Sequence, residues 1–158
     1  MQAPQPAPGL PSPSGCTCFK LRSLSRRVTQ LYDQTMAPAG ITVTQFSLIA
    51  QARRARARPP TLSDLADNLH TDRTTLTRNL RPLLVAGLLQ LRPGADARSK
   101  AVAVTAAGEA AFQAARPLWH EAQQRVRGLL GADGVARLHA LVDSLLPQIE
   151  ASADAPRA

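Results

Sequence analysis

The chain has 158 residues, 44% of them hydrophobic, with a net charge of +8 and a sequence pI of about 11.2. That is room for one compact domain with tails, and the basic excess points to a polyanionic partner, nucleic acid before acidic membrane. No apolar run reaches the roughly 18–20 residues of a membrane-crossing helix, and aromatics, at 3%, are too few for a single-strand stacking platform.

Residues 1–15 are rich in Pro, Ser and Gly with no apolar period, and they read as a disordered arm. No charged-then-apolar leader opens the chain, so a cytoplasmic protein is expected. Cys16 and Cys18 are too close in sequence to be a useful structural staple, which fits a reducing compartment. A helix over about 16–37 carries Leu21, Leu24, Val28, Leu31 and Thr35 as one stripe, and Pro38 and Gly40 end it. Thr42 and Gln45 have capping-box spacing and open a helix through Phe46, Leu48, Ile49 and Ala52. That helix stops at the basic, proline-terminated RRARARPP. Thr61 and Asp64 repeat the cap spacing ahead of a short helix that buries Leu62, Leu65, Ala66 and Leu69.

After a turn at His70 and Thr71 comes another helix. Leu76, Leu80, Leu83 and Leu84 fall on one side of it. Thr74, Arg78 and Arg81 fall on the other, flanked by Thr75 and Thr77. Pro82 is expected to kink this helix and Gly87 to end it. LLQLR, PGADARSK and AVAVT read as strand, tight loop and returning strand. Thr105 can cap a long helix containing Phe112, Leu118, Trp119, Val126 and Leu129, which GADG breaks. A last helix, to about residue 150, carries Val135, Leu138, Leu141, Val142, Leu145, Leu146 and Ile149, and residues 151–158 read as a flexible tail. The sum is a mainly α fold with a small β-hairpin: a helix-turn-helix followed directly by a wing.

The charge is concentrated there. Residues 51–105 hold ten Lys and Arg against four acids, six of the eight net positive charges. Arg78 and Arg81 suit guanine O6 and N7 or a phosphate, and Thr74, Thr75 and Thr77 suit phosphates or a thymine methyl. Thr71, Asp72 and Arg73 stand at the helix start, where free N–H groups can meet a phosphate. In the wing, Asp96 can hold Arg98 in one rotamer for entry into a minor groove, with Lys100 beside it. There is no Gly-rich phosphate loop, nucleophile elbow or His/Glu metal motif, so an enzyme is not expected. The spacing of Cys16, Cys18, His70, His120 and His139 fixes no tetrahedral site, so neither metal nor cofactor is expected. The basic field alone would also serve a non-specific architectural DNA-binding protein, which sequence dependence of binding would separate from an operator reader. Arg22, Arg26 and Arg27 beside the first stripe also mimic a membrane-surface helix, which liposome binding without DNA binding would reveal.

LSDLADNLHTDRTTLTRNLRPLLVAGLL and DARSKAVAVTAAGE together resemble the MarR family of winged-helix transcription regulators. DARSKAVAVTAAGE is similar to that family's wing signature, Asp-x-Arg followed by a strand ending in Thr-x-x-Gly, and the resemblance spans about residues 16–149. It implies a homodimer in which helices over about 16–37 and 106–150 interleave beside a DNA-binding lobe of about 42–105. The recognition helices would enter successive major grooves of a pseudo-palindrome and the wings the flanking minor grooves. It also implies a repressor switched by a small-molecule effector or by cysteine oxidation. CFKLRSLSRRVTQLY is similar to the first helix of the family's organic-hydroperoxide sensors, which implies that Cys18 is the peroxide-reactive thiol. Arg22 and Phe46 stand where those sensors have tyrosines. The residues themselves add that Cys18 lies in a helix's first turn with Arg22 at i+4, surroundings that reactive cysteines use, and that Cys16 offers a further thiol. Phe19, Arg22, Phe46 and Trp119 are candidate walls for a small aromatic or lipophilic effector.

Overall fold

The computed structural model describes residues 15–54, 58–94 and 99–154, with side chains through residue 152. Most of the expected arm, the end of the expected tail and the wing tip at 95–98, with Asp96 and Arg98, lie outside the described residues. The elements are α1 (Thr17–Met36), α2 (Val43–Arg54), α3 (Leu62–Asn68), α4 (Arg73–Val85), β1 (Leu89–Pro93), β2 (Lys100–Val104) and α5 (Ala106–Asp154).

Local chemistry sets the boundaries. After α1 a 3-10 turn over Ala37–Ala39 hands the chain to Gly40, which takes φ +70°. Thr42 and Gln45 cap α2 reciprocally: Gln45 N–H donates to Thr42 Oγ1 at 3.2 Å, and Thr42 N–H to Gln45 Oε1 at 2.9 Å. Thr61 and Asp64 do the same for α3. α4 ends in a Schellman motif, with Leu88 N–H on Leu83 O, Gly87 N–H on Leu84 O, and Gly87 at φ +67°. The kink expected at Pro82 is not a break. α4 is one helix through it, with the exposed ring three residues from the end. Pro82 has no N–H to offer the Arg78 carbonyl.

β1 and β2 pair antiparallel from Leu89↔Val104 to Pro93↔Lys100. The outer edge of β2 is also engaged, which the sequence pattern did not indicate. Val102 N–H donates to Pro60 O at 2.8 Å, and Thr61 bridges Ala101. The hairpin is therefore hydrogen-bonded to the start of α3.

The wing's return is locked by Thr105 and Gly108. Thr105 Oγ1 accepts from Gly108 N–H at 3.0 Å and donates to Gly87 O at 2.7 Å, tying the end of α4 to the start of α5. A Cβ on Gly108 would collide with the Leu88 carbonyl oxygen. That collision is a physical reason for a Thr-x-x-Gly spacing at this point.

The core joins the end of α1, α2, α3, α4, the hairpin and the first part of α5. Met36, Leu48, Ile49, Leu65, Leu76, Leu80, Leu83, Leu89 and Val102 are fully buried. Thr35 is the buried polar residue of this core; its hydroxyl donates to Leu31 O and accepts from Arg125. The break expected at GADG is present as Gly131 at φ +68°, ψ 165°. Beyond it α5 runs to Asp154, past residue 150 where the tail was expected to start. This last limb carries its apolar row largely exposed.

Candidate nucleic-acid interface and switch region

The helix-turn-helix is closed by a left-handed residue that is not glycine. His70 takes φ +47°, its N–H donates to Asp67 O, and Thr71 N–H reaches Ala66 O at 3.0 Å. α4 then starts on Asp72. The carboxylate accepts from Thr75 N–H at 2.9 Å and from Thr75 Oγ1 at 2.7 Å. Those bonds, the hydroxyl's first, hold the Asp72 carboxyl below the usual carboxylate range. Asp72 is an ionised cap at the tip of α4, and Thr75 is spent on it.

Arg73, Thr74, Thr77, Arg78 and Arg81 line one open concavity of about 470 Å³ on the outer face of α4. The Thr77 hydroxyl is turned back, donating to Arg73 O at 2.7 Å, so Thr77 presents mainly its methyl. Arg73, Thr74, Arg78 and Arg81 are the exposed groups left to reach outward. Lys100 opens β2, exposed, opposite Pro93. On β1, Gln90 with its amide oxygen toward Arg92 accepts from Arg92 Nη2 at 2.8 Å. This places a further exposed cation on the wing, one that the candidate residues read from the sequence did not include.

At the start of the first helix, Cys16 is the N-cap residue of α1 and Cys18 lies in its first turn. Both thiols are free and exposed. Phe19, half exposed, stands on the same turn, and Arg22 lines a shallow depression with Leu21, Ser25 and Arg26.

The other two candidate effector residues lie elsewhere and together. Phe46 stacks on Phe112 with ring centroids 4.6 Å apart and on Trp119 at 5.7 Å. With Ala50 and the cations of Arg53, Arg54 and Arg116 they bound a cleft of about 360 Å³ between α2 and α5. Within the chain, then, the four candidates split two and two. Phe112 belongs with Phe46 and Trp119, and in the sequence it was one more apolar residue of a long helix. So does an ion pair with no sequence signal. Arg53 Nε and Nη2 donate to Glu109 Oε2 and Oε1, both at 2.7 Å, while the guanidinium lies 4.0 Å from the centre of the Phe112 ring. Among the described residues no group of three or more His, Cys, Asp and Glu side chains could hold a metal ion, and no helix is long and apolar enough to cross a membrane.

A short capped helix, a tight turn, a further helix with a cationic outer face and an anchored antiparallel hairpin define a winged helix-turn-helix protein. No protein-family model and no curated protein sequence matches the chain. Among solved structures it is similar to the M. tuberculosis transcriptional regulator MosR in complex with DNA, at 38% identity and a TM-score of 0.77 over 87% of this chain and 98% of that one. It is similar also to a mutant of E. coli MarR complexed with operator DNA, at 28% identity and a TM-score of 0.72 over 81% and 91%. An S. aureus MepR–DNA complex shares the fold at 21% identity and a TM-score of 0.73, over 85% of this chain and 98% of that one. The chain belongs to the MarR family of transcriptional regulators, which are not enzymes.

Proposed function

We propose that this protein is a cytoplasmic, homodimeric repressor that reads a pseudo-palindromic operator in double-stranded DNA. The observation that carries this reading is the outer face of α4, where Arg73, Thr74, Thr77, Arg78 and Arg81 form one concave cationic surface. Arg78 and Arg81 reach base edges or phosphates, Thr71, Asp72, Arg73, Thr74, Thr75 and Thr77 stand along the groove, and Lys100 with Asp96 and Arg98 works from the wing. The DNA-binding lobe is residues 42–105, and the helices at 16–37 and 106–150 join two copies. The dimer is supported by apolar rows that the described residues leave largely exposed, Leu21 and Leu24 on α1 and Leu141, Leu145 and Ile149 on α5.

The switch proposed is thiol oxidation at the start of α1, supported by the two free, exposed thiols there. The Cys18 thiolate attacks a hydroperoxide, breaking the O–O bond to give a sulfenic acid and an alcohol. The Cys16 thiol then displaces water to close a disulfide. An alternative reading is favoured by the cleft of Phe46, Phe112 and Trp119, whose aromatic floor and cationic rim suit a small aromatic effector.

Selection of genomic DNA on the purified protein, followed by gel shift with and without mild peroxide, tests all of this. An enriched palindrome that peroxide releases and reductant restores supports the redox repressor. A palindrome indifferent to peroxide moves the switch to the aromatic cleft. No enriched sequence makes the protein an architectural DNA binder.

A further inference from the structure

Beside the cationic face of α4 lies a groove of about 310 Å³ that faces the first turns of α2. Leu48 and Leu76, both fully buried, form its floor. Its walls carry four neutral polar side chains, Thr44 and Ser47 from α2 and Thr71 and Asn79 from the helix-turn-helix. Among the described residues none of these four side chains has a hydrogen-bond partner within the chain. The contrast with their neighbours is informative. Thr75 and Thr77 turn their hydroxyls onto Asp72 and the Arg73 carbonyl, while the Thr71 hydroxyl and the Asn79 amide, on half-buried residues of the same segment that line the groove, have no such partner.

Position says what the groove meets. At about 100° per residue, Asn79 sits one step around α4 from Arg78, between the face that would enter a major groove and the buried face. A helix seated in that groove has a sugar–phosphate strand along each flank. The flank on the α2 side is this groove. No charged residue lines it, and the Asp72 carboxylate, next in sequence to Thr71, is bonded to Thr75. Hydroxyl and amide donors are among the groups that proteins set against phosphate oxygens. α2 holds its side of the groove still, through its capping box and through Val43 N–H on Asp33 at 2.8 Å.

We infer that Thr44, Ser47, Thr71 and Asn79 form a neutral clamp for a phosphodiester of the DNA strand bordering the major groove. The inference rests on the DNA-binding reading of α4 and adds the residues that fix its register. A clamp of this kind positions the helix without reading sequence. Because it is uncharged it displaces no counterions of its own, unlike Arg or Lys.

The experiment uses the full-length protein with Ser47→Ala and, separately, Asn79→Ala. Binding is measured to the operator selected by the wild type and to a scrambled duplex of equal length, between roughly 50 and 200 mM salt. The expected result is a loss of about three- to tenfold for each variant, equal on the two duplexes. The slope of log affinity against log salt stays that of the wild type. A single methylphosphonate walked along the operator then finds a position that weakens the wild type by a similar factor and adds nothing to the loss in Ser47→Ala. Loss confined to the operator, a shallower salt slope, no loss, or methylphosphonate effects additive at every position would overturn the clamp. A wild type that binds neither duplex overturns instead the reading of α4 itself, so the two failures are distinguishable.

Discussion

The winged lobe and the terminal helices are built from the same material, leucines at helical spacing, yet one closes on itself and the other does not. Leu48, Leu65, Leu76, Leu80 and Leu83 are each 1% exposed or less, whereas Leu21, Leu24, Leu141, Leu145 and Ile149 are 40% to 58% exposed. A period of 3.6 reports that a face is buried and is silent about by what. In the lobe the hairpin and α3 fold back over α4, so one chain supplies every layer. On α1 and the last limb of α5 no described residue completes the covering layer, and the interleaved dimer proposed above would supply it.

The largest expected effect is on the closed side. Leu80→Ala should cost about 2–5 kcal/mol of unfolding free energy, by lost transfer and an unfilled cavity, and the cost should not vary with protein concentration. On the open side, Leu145→Asp should leave the fold of the lobe intact and weaken self-association on the order of 100-fold, since a carboxylate would be desolvated between the copies. Sedimentation across a dilution series, paired with chemical denaturation, reads both. If Leu145→Asp left the sedimentation coefficient unchanged at every dilution, the division between self-sufficient lobe and shared helices would be wrong.

Arg78→Ala sharpens the comparison from the DNA side. It should reduce operator affinity by about 1–3 kcal/mol and relax preference at one base pair if the guanidinium reads a base. Equal loss on operator and scrambled DNA would make Arg78 a phosphate contact instead.

What was legible in the residues is what local chemistry decides. The capping pairs Thr42/Gln45 and Thr61/Asp64, the stop at Gly87 and the break at Gly131 involve partners a few residues apart, and their geometry follows from spacing alone. The outer face of α4 was legible for the same reason. What was not legible depends on segments meeting. Arg53 and Glu109 are 56 positions apart, and Thr61 and Ala101 come together only because the hairpin folds onto the start of α3. The separation of Phe19 and Arg22 from Phe46 and Trp119 is of this kind too, since aromatics on two helices say nothing about which cleft they share.

A smaller effect is expected where the lobe meets α5. Glu109→Gln removes the charge from a bidentate pair in which each side chain is 25% exposed. Solvent screening keeps the cost to about 0.5–1 kcal/mol. The informative readout is the aromatic cleft that Arg53 borders. Trp119 is the chain's one tryptophan, so its emission should shift in Glu109→Gln while the helix content by circular dichroism does not. An unchanged spectrum would mean that Arg53 is held over Phe112 by the ring rather than by the carboxylate.

The smallest effect tests the caps that set the reading head. The Asp64 carboxyl is lowered chiefly by the Thr61 backbone N–H and then by the Thr61 hydroxyl, and the Asp72 carboxyl by the Thr75 hydroxyl and N–H. A folded-state pKa below the unfolded value, about 3.9, means that the carboxylates stabilise the fold at neutral pH and lose that contribution as pH falls through the folded values. The melting temperature should therefore be level from neutral pH down to about 5 and fall below about 4. Asparagine can accept the same N–H bonds without titrating, so Asp64→Asn combined with Asp72→Asn should show a shallower fall in acid than the wild type. If the double variant lost stability in acid as steeply as the wild type, the acid response would belong to other carboxylates. The caps of α3 and α4 would then contribute only their neutral hydrogen bonds.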